Sequence, residues 1–207
     1  MNVLDLGAFR ATPLARDPYE HIIVPGLVPM DAANAVVRDY PRIRKAGLYP
    51  LSALDVHGAF AELIAALDGE EFEAAVEEKF GLPLAGNPKL FTIRGRCRAT
   101  DGKIHTDSLN KVVTVLVYLN PAWEADGGRL RVLRSATDLS DFAAEVPPLA
   151  GTLLAFRRSE RSFHGHEPFA GERRAIQLNW MTDVASRDHE ETRHRWSARF
   201  KAINPFA

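Results

Sequence analysis

The chain has 207 residues, of which 46% are hydrophobic and 26% charged, and its formal net charge at pH 7 is −1. These values are typical of a globular protein with a sizeable core, and they provide no overall field that would attract nucleic acid or an anionic membrane. A single cysteine, Cys97, excludes an intrachain disulfide and a zinc site with several thiolates.

The first part of the chain, residues 1–88, predicts helices that support the rest of the fold. Residues 28–40 form an amphipathic pattern after Pro25 and Gly26, and Asp31 is suited to cap that helix. Residues 57–69 carry apolar side chains at helical spacing and end at a glycine. Residues 70–81 repeat this pattern, so three helices are expected here.

Residues 89–182 change to strand patterns. Residues 111–120, KVVTVLVYLN, are β-branched and aromatic over most of their length, which is typical of a buried strand. Further strand segments are 89–96, 129–134, 147–156, 161–166 and 173–181. Because no helical segments separate them, the sequence predicts an antiparallel barrel or jelly roll. Residues 183–207 predict a C-terminal extension with a charged final helix, and the whole chain is expected to be one domain.

Two polar clusters have the residue types of a metal site. His105 and Asp107 lie two residues apart in GKIHTDSLNK, and residues at this spacing share one face of a strand. By itself this pair is either surface polarity or two ligands of one metal ion. The segment RSFHGHEPF supplies a third candidate ligand in His164 or His166. Two imidazoles and one carboxylate form the facial triad that suits non-haem Fe(II).

The order of the motifs resembles the Fe(II)- and 2-oxoglutarate-dependent dioxygenase superfamily, in particular its prolyl 4-hydroxylase-like group. The resemblance covers about residues 91–180, and its parts are HTD, VTVLVYLNPAW, GGRLRVL, PPLAGTLLAF, SFHGHEPFAGERR and a final Trp. It implies an α+β protein with an all-β core, a double-stranded β-helix (jelly roll) barrel, buttressed by the N-terminal helices. It also implies Fe(II), 2-oxoglutarate as co-substrate and O2.

The resemblance assigns iron to His105, Asp107 and His164. His164 rather than His166 opens an H-x-x-x-P run that ends at Pro168, and this matches the pattern of the family. His166 is then expected near the mouth of the cavity, where it contacts substrate or supports a ligand.

The resemblance also assigns the co-substrate. Arg174 matches the basic residue that binds the distal carboxylate of 2-oxoglutarate, with Tyr118 and Thr114 beside it. A guanidinium makes a bidentate, charge-assisted pair with a carboxylate. Strand parity favours Arg174 over Arg173, because Arg174 shares its face with three apolar residues that suggest the barrel interior. The alternatives are a surface ion pair of Arg174 with Glu172 and simple core packing of Tyr118.

Further candidates for substrate contact are Trp180 and Arg96, together with His166. The remaining histidines match nothing in the family pattern and are expected at the surface; they are His21, His57, His189 and His194.

The implied activity is hydroxylation of an unactivated C–H bond in an amino acid, a peptide or protein, or a small metabolite. The alternatives are a metal-dependent enzyme that is not an oxygenase and a metal-free binding or sensing protein on the same barrel. No aromatic and basic stripe suggests nucleic acid, and the sequence does not indicate an oligomeric state. Without a recognisable signal peptide or an apolar run of membrane length, we expect a cytoplasmic protein with no membrane partner.

Overall fold

The computed structural model describes the backbone of residues 3–203 and the side chains of residues 3–198. The helices in this range are α1 (Leu6–Ala11), α2 (Met30–Arg38), α3 (Gly58–Asp68), α4 (Glu70–Phe80) and α5 (Val184–Ile203), with a 3₁₀ turn at Leu51–Ala53. The strands in this range are β1 (His21–Val24), β2 (Leu48–Pro50), β3 (Lys89–Cys97), β4 (Lys111–Tyr118), β5 (Leu130–Leu133), β6 (Phe142–Val146), β7 (Leu153–Arg157), β8 (His164–Gly165) and β9 (Gly171–Met181).

The strands form two sheets, and every strand pair within them is antiparallel. The larger sheet has the order β1-β7-β4-β9-β3-β2, and the smaller has the order β6-β5-β8. Apolar side chains from both sheets, among them Tyr118, Leu130, Val132 and Phe156, pack together in one cluster. This arrangement confirms the predicted jelly roll with an all-β core, although the two sheets are not closed into a barrel.

A layer of helices covers the outer face of the larger sheet. Phe60 and Leu67 of α3 and Phe72 of α4 are fully buried, and they belong to the same core cluster as Leu178 and Trp180 of β9. Burial of each large side chain of this kind contributes roughly 1.5–3 kcal/mol. The helical buttress is therefore an integral part of the core.

The predicted helices correspond to α2, α3 and α4, but one cap differs. Pro29 is the N-cap of α2 and makes no side-chain cap bond, while Asp31 lies within the first helical turn. An acidic residue there still interacts favourably with the helix dipole. Helix α4 ends as predicted at Gly81, whose φ of 62° lies in the left-handed region that favours glycine.

The first 88 residues also contribute strands that the sequence did not reveal. Strand β1 pairs with β7 at one edge of the larger sheet, and β2 pairs with β3 at the other edge. These strands have four and three residues, which is too short for a periodic pattern to stand out. The division of the chain into a supporting part, a core and an extension within one domain stays a prediction.

The parity argument for β9 is wrong. The face that carries Ile176, Leu178 and Trp180 packs under the helices, whereas the opposite face lines a cavity between the sheets. Both faces of β9 are largely buried, so hydrophobicity alone does not identify the interior one. Arg174 therefore lies outside the cavity, and Arg173 lies inside it.

Among the described residues, no helix is both long and apolar enough to cross a membrane.

Candidate active site

The three predicted metal ligands converge at one end of the cavity. His105 and His164 form an isolated antiparallel bridge, in which the His105 N–H donates to the His164 carbonyl at 3.1 Å and the His164 N–H donates to the His105 carbonyl at 2.9 Å. One potential ligand atom each from His105, Asp107 and His164 lies within 4.8 Å of the other two. The backbone pairing thus brings the distant HTD and HGH motifs together.

Both imidazoles are oriented by backbone carbonyls. Nδ1 of His105 lies 2.8 Å from the Lys103 carbonyl oxygen, and Nδ1 of His164 lies 3.0 Å from that of Ser162. A carbonyl only accepts, so each Nδ1 carries a proton, and in the neutral imidazole Nε2 is then the nitrogen with a lone pair. Metal-binding histidines are fixed in this way by hydrogen bonds from the second ring nitrogen. The donor set of two imidazoles and one carboxylate therefore fits Fe(II).

Asp107 is held in its ionised form. Burial alone would raise its pKa, but Lys111, His164 and the hydrogen bonds from Lys111 and Thr114 outweigh burial and lower the pKa to about 2. Nζ of Lys111 lies 2.8 Å from Oδ1, and the Thr114 hydroxyl donates to Oδ2. The carboxylate is thus charged and oriented before any metal binds.

Burial has the opposite consequence for His164. Its removal from water lowers the pKa to about 4, although the charge of Asp107 acts in the other direction. The ring packs 4.9 Å from the ring of Phe156 and 4.4 Å from that of His105, measured between centroids. A neutral imidazole is the form that ligates a metal.

The triad opens onto a cavity of about 330 Å³. Its floor consists of side chains from β4, β9 and β3, in rows set by the strand register. Thr114, Asn179 and Leu90 form one row, and Leu116, Gln177 and Thr92 form the next. The sheet places the floor, while β8 and the HTD loop provide the metal ligands above it.

Arg173 is a buried basic residue of the cavity floor on β9. Its side chain is only 5% exposed, its Nε donates to the Gly128 carbonyl at 2.8 Å, and its Nη2 donates to the Tyr118 hydroxyl at 3.3 Å. The guanidinium lies over the Tyr118 ring, 5.2 Å from the centroid. No carboxylate pairs with Arg173 among the described residues. A buried unpaired charge is costly, so the cavity is suited to an anion.

Arg174 has the alternative role of a surface ion pair. Its Nη2 lies 2.7 Å from Oε1 of Glu172, and its Nη1 donates to the Val37 carbonyl at 3.2 Å. Its guanidinium stacks over Tyr40, outside the cavity. Sequence reasoning thus missed Arg173. The signal in the sequence was that Arg173 shares its strand face with the polar residues Gln177 and Asn179, which is typical of a ligand cavity.

The other predicted site residues on β4 and in the HGH motif lie in or beside the cavity. Tyr118 is fully buried behind Arg173, and Thr114 lies on the cavity floor against Asp107. His166 also lines the cavity, with its Nδ1 2.8 Å from the Glu167 carbonyl oxygen. Burial, followed by the nearby charge of Arg173, lowers the pKa of His166 to about 4.

Two predicted substrate contacts lie elsewhere. Trp180 is buried on the helix-facing side of β9, where its Nε1 donates to Oε2 of Glu73 at 3.0 Å. Arg96 is exposed and lies outside the cavity lining, beyond a register shift between Arg94 and Arg96. The shift explains why two residues of equal parity differ, since a bulge turns the strand locally.

Arg94 of β3 and residues of helix α5 complete the cavity lining. Glu190, Arg193 and His194 of α5 contribute to it, so His194, which was expected at the surface, lies at the cavity instead. His21 is also not a surface residue, because it is buried beside Tyr19. Such placements depend on how distant segments pack, and a local pattern does not contain that information.

Comparisons with known proteins agree with this geometry. Residues 96–182 match the family model described as the 2OG-Fe(II) oxygenase superfamily. A prolyl-4-hydroxylase from Pseudomonas putida is similar at 17% identity, with a TM-score of 0.56, over 86% of this chain and 97% of that one. A 2OG-Fe(II) oxygenase family oxidoreductase from Burkholderia pseudomallei is similar at 14% identity, with a TM-score of 0.54, over 86% and 90%.

A third solved structure is a prolyl hydroxylase from Trichoplax adhaerens in complex with a hypoxia inducible factor peptide fragment. It is similar at 16% identity, with a TM-score of 0.52, over 92% of this chain and 90% of that one. A comparison with curated proteins found no significant match. At these identities the solved structures show the fold, and the superfamily that the model describes uses Fe(II), 2-oxoglutarate and O2. The family model and the structural neighbours together confirm the predicted resemblance of this chain to the prolyl 4-hydroxylase-like 2OG-Fe(II) oxygenases.

Proposed function

We propose that the protein is an Fe(II)- and 2-oxoglutarate-dependent dioxygenase that hydroxylates an unactivated C–H bond of an amino acid, a peptide or protein, or a small metabolite. The observation that carries the proposal is that one cavity contains both a group of possible metal ligands and a buried cation for a carboxylate. His105, Asp107 and His164 form a metal-compatible group, and Arg173 presents a buried guanidinium without a carboxylate partner among the described residues.

Each residue has a defined task in this proposal. His105, Asp107 and His164 hold Fe(II), with Lys111 and Thr114 fixing the Asp107 carboxylate. Arg173, not Arg174, binds the distal carboxylate of 2-oxoglutarate, and the Tyr118 hydroxyl orients the guanidinium. When bound, Fe(II) and 2-oxoglutarate supply the oxidising power that inserts one oxygen atom of O2 into the substrate and releases succinate and CO2.

Burial keeps water away from the charged groups of the site and keeps His166 neutral. Asp107, His164 and Arg173 are almost fully buried, so their interactions act in a medium of low dielectric. His166 lies beside Arg173 as a neutral imidazole, which suits it to hydrogen-bond either substrate or a ligand without adding charge. The cytoplasmic location stays a prediction.

Arg173 also distinguishes the proposal from its alternatives. A metal-dependent enzyme that is not an oxygenase has no need of a carboxylate clamp across the cavity from the metal. A metal-free binding protein has no need of two imidazoles beside a buried carboxylate, each fixed at its Nδ1 by a backbone carbonyl.

The proposal is tested by anaerobic titration with Fe(II) and then 2-oxoglutarate. We expect a weak visible charge-transfer band, and slow succinate formation once oxygen is admitted. His164→Ala abolishes tight binding of Fe(II) or Mn(II), whereas the matched variant His166→Ala retains the band. A protein that binds neither metal nor 2-oxoglutarate contradicts the proposal, and loss of the band only in His166→Ala contradicts the choice of His164.

A further inference from the structure

The triad and Arg173 leave one side of the cavity without an assigned role. That side is the β3 column of the floor, where Thr92 and Arg94 lie opposite Gln177 and Ala175 of β9. The following inference concerns the primary substrate and rests on the proposed function.

Helix α5 covers this side of the cavity. It packs against β2, β3 and β9, and Ser52 of the 3₁₀ turn donates from its hydroxyl to Oε1 of Glu191 at 3.2 Å. Strand β2 is the edge strand on this side of the larger sheet. An extended peptide binds most directly by adding to such an edge, and here a helix lies against it. Because α5 covers this edge, the structure favours a small substrate that fits entirely inside the cavity over a peptide that pairs with β2.

The volume of the cavity points in the same direction. About 330 Å³ lies at the lower end of the range of roughly 300–1,000 Å³ for small-molecule sites. The same space has to hold 2-oxoglutarate. What remains suits a molecule of the size of a single amino acid.

The charges of the lining favour an anion. Among the described residues of the lining, four side chains are cationic and two are carboxylates. The cations are Arg94, Lys111, Arg173 and Arg193, and the carboxylates are Asp107 and Glu190. Asp101 adds a third carboxylate beside Arg94, which leaves one positive charge in excess. Fe(II) and the 2-oxoglutarate dianion cancel each other, so the excess persists in the loaded site. A cavity of one sign attracts ligands of the other.

Arg94 is the cation best placed to bind such an anion. Its hydrogen bonds to Asp101 and Cys97 all come from Nη1, which leaves Nε and Nη2 without a partner among the described residues. Two residues earlier on the same face, the buried hydroxyl of Thr92 is also without a hydrogen-bond partner in this part of the chain. Buried polar groups are normally paired, so this floor is built for a polar ligand.

We propose that the primary substrate is a small free carboxylate of amino-acid size, which enters beneath α5 and is held by its carboxylate at Arg94, with Thr92 as a second contact. In this arrangement Arg94 and Arg173 bind different molecules. Arg173 serves the co-substrate, and Arg94 selects the substrate.

The test uses the full chain loaded with Mn(II) and 2-oxoglutarate, titrated calorimetrically with each of the twenty free L-amino acids and with their N-acetyl amide derivatives. We expect at least one free acid to bind, and its amide derivative to bind at least about tenfold more weakly. With Fe(II) and oxygen, the same acid increases succinate formation.

Matched variants locate the contact. Arg94→Gln weakens binding of that acid at least about tenfold and leaves the 2-oxoglutarate titration unchanged. Arg98→Gln is its control, because Arg98 also approaches Asp101 but is exposed outside the cavity. Arg193→Ala on the cavity side of α5 weakens binding as well, whereas Arg187→Ala on the same helix does not. If Arg94→Gln does not fold, Thr92→Val and Arg193→Ala provide the same comparison.

Three results overturn the inference, namely binding of no free acid, equal binding of acids and amides, or an Arg94→Gln variant that loses 2-oxoglutarate instead of the acid. Each of them leaves the charge-transfer band of the unmodified protein intact. Absence of that band in the unmodified protein contradicts the proposed function instead, so the two failures are distinguishable.

Discussion

The two faces of strand β9 differ in what they bury. One face carries Ile176, Leu178 and Trp180 into the core under the helices, where large apolar side chains fill the space. The other face carries Arg173, Gln177 and Asn179 into the cavity, where their polar groups line the space between the sheets. A single strand thus separates the part of the molecule that stabilises the fold from the part that binds ligands.

This difference gives a rule for substitutions. Changes on the helix-facing side are expected to act on the free energy of unfolding, because they leave voids in a packed core. Changes on the cavity side of β9 are expected to act on ligand affinity with little effect on folding, because these side chains face the cavity instead of the core. Substitutions on the two faces of β9 therefore separate effects on stability from effects on ligand affinity.

The largest effect is expected at Trp180, whose ring packs on Phe72 and whose Nε1 donates to Glu73. Trp180→Ala lowers the free energy of unfolding by about 3–5 kcal/mol, measured by urea denaturation. Its control on the cavity side is Gln177→Ala, which is expected to cost less than about 1 kcal/mol. A Trp180→Ala variant of normal stability that has lost a ligand contradicts the division.

The second prediction compares the neighbouring arginines. Arg173→Ala raises the apparent 2-oxoglutarate constant at least about tenfold, since loss of a buried charge-assisted pair costs on the order of 2–5 kcal/mol. Arg174→Ala leaves that constant within about twofold, because its partners are Glu172 and the Val37 carbonyl. The measurement is succinate formation against 2-oxoglutarate concentration. Equal effects, or a larger effect at Arg174, favour the original parity argument.

Much of the fold was predictable because it depends on local chemistry. The strand at residues 111–120 and the helices at 57–69 and 70–81 have patterns long enough to specify their elements, and the structure contains β4, α3 and α4 there. The convergence of His105 and Asp107 with His164 was predictable from spacing together with a family resemblance. Neither observation required knowledge of the packing.

The errors come from features of packing and strand register that a local sequence pattern does not contain. Arg174 and Trp180 were placed inside on the assumption that the apolar face of a strand points into a barrel, but helix packing makes the outer face equally apolar. Arg96 was misplaced because the register shift after Arg94 reverses the parity rule. The cavity-lining position of Glu190 depends on the docking of α5, and local sequence does not encode that docking.

The third prediction tests the helix-facing side by acid. Burial would raise the pKa of Glu73, but the hydrogen bonds from Trp180 and Lys89 and the charge of Lys89 outweigh it and lower the pKa. A depressed folded-state pKa contributes stability above the ordinary value of about 4.3, and this stability is lost as pH falls through the lower folded value. Glu73→Gln therefore costs about 1 kcal/mol at pH 7 and progressively less in acid. The exposed Glu78→Gln serves as control, and a cost that does not depend on pH refutes the electrostatic explanation.

The last prediction concerns two threonines on the cavity floor, whose substitutions are expected to change the free energy of unfolding in opposite directions. The Thr92 hydroxyl is buried without a partner among the described residues, whereas the Thr114 hydroxyl donates to Asp107. Valine keeps the branched shape of threonine and removes only the polar group, so Thr92→Val removes an unsatisfied hydroxyl and Thr114→Val removes a satisfied one.

In the ligand-free protein, Thr92→Val raises the free energy of unfolding by up to about 1 kcal/mol, while Thr114→Val lowers it by about 1–2 kcal/mol because the bond to a charged carboxylate is lost. Thermal unfolding without metal resolves this difference, since about 1 kcal/mol corresponds to roughly 2–4 °C in a chain of this size. If Thr92→Val also destabilises the ligand-free protein, its hydroxyl already has a partner there, and the cavity floor at β3 is not built to receive one from a ligand.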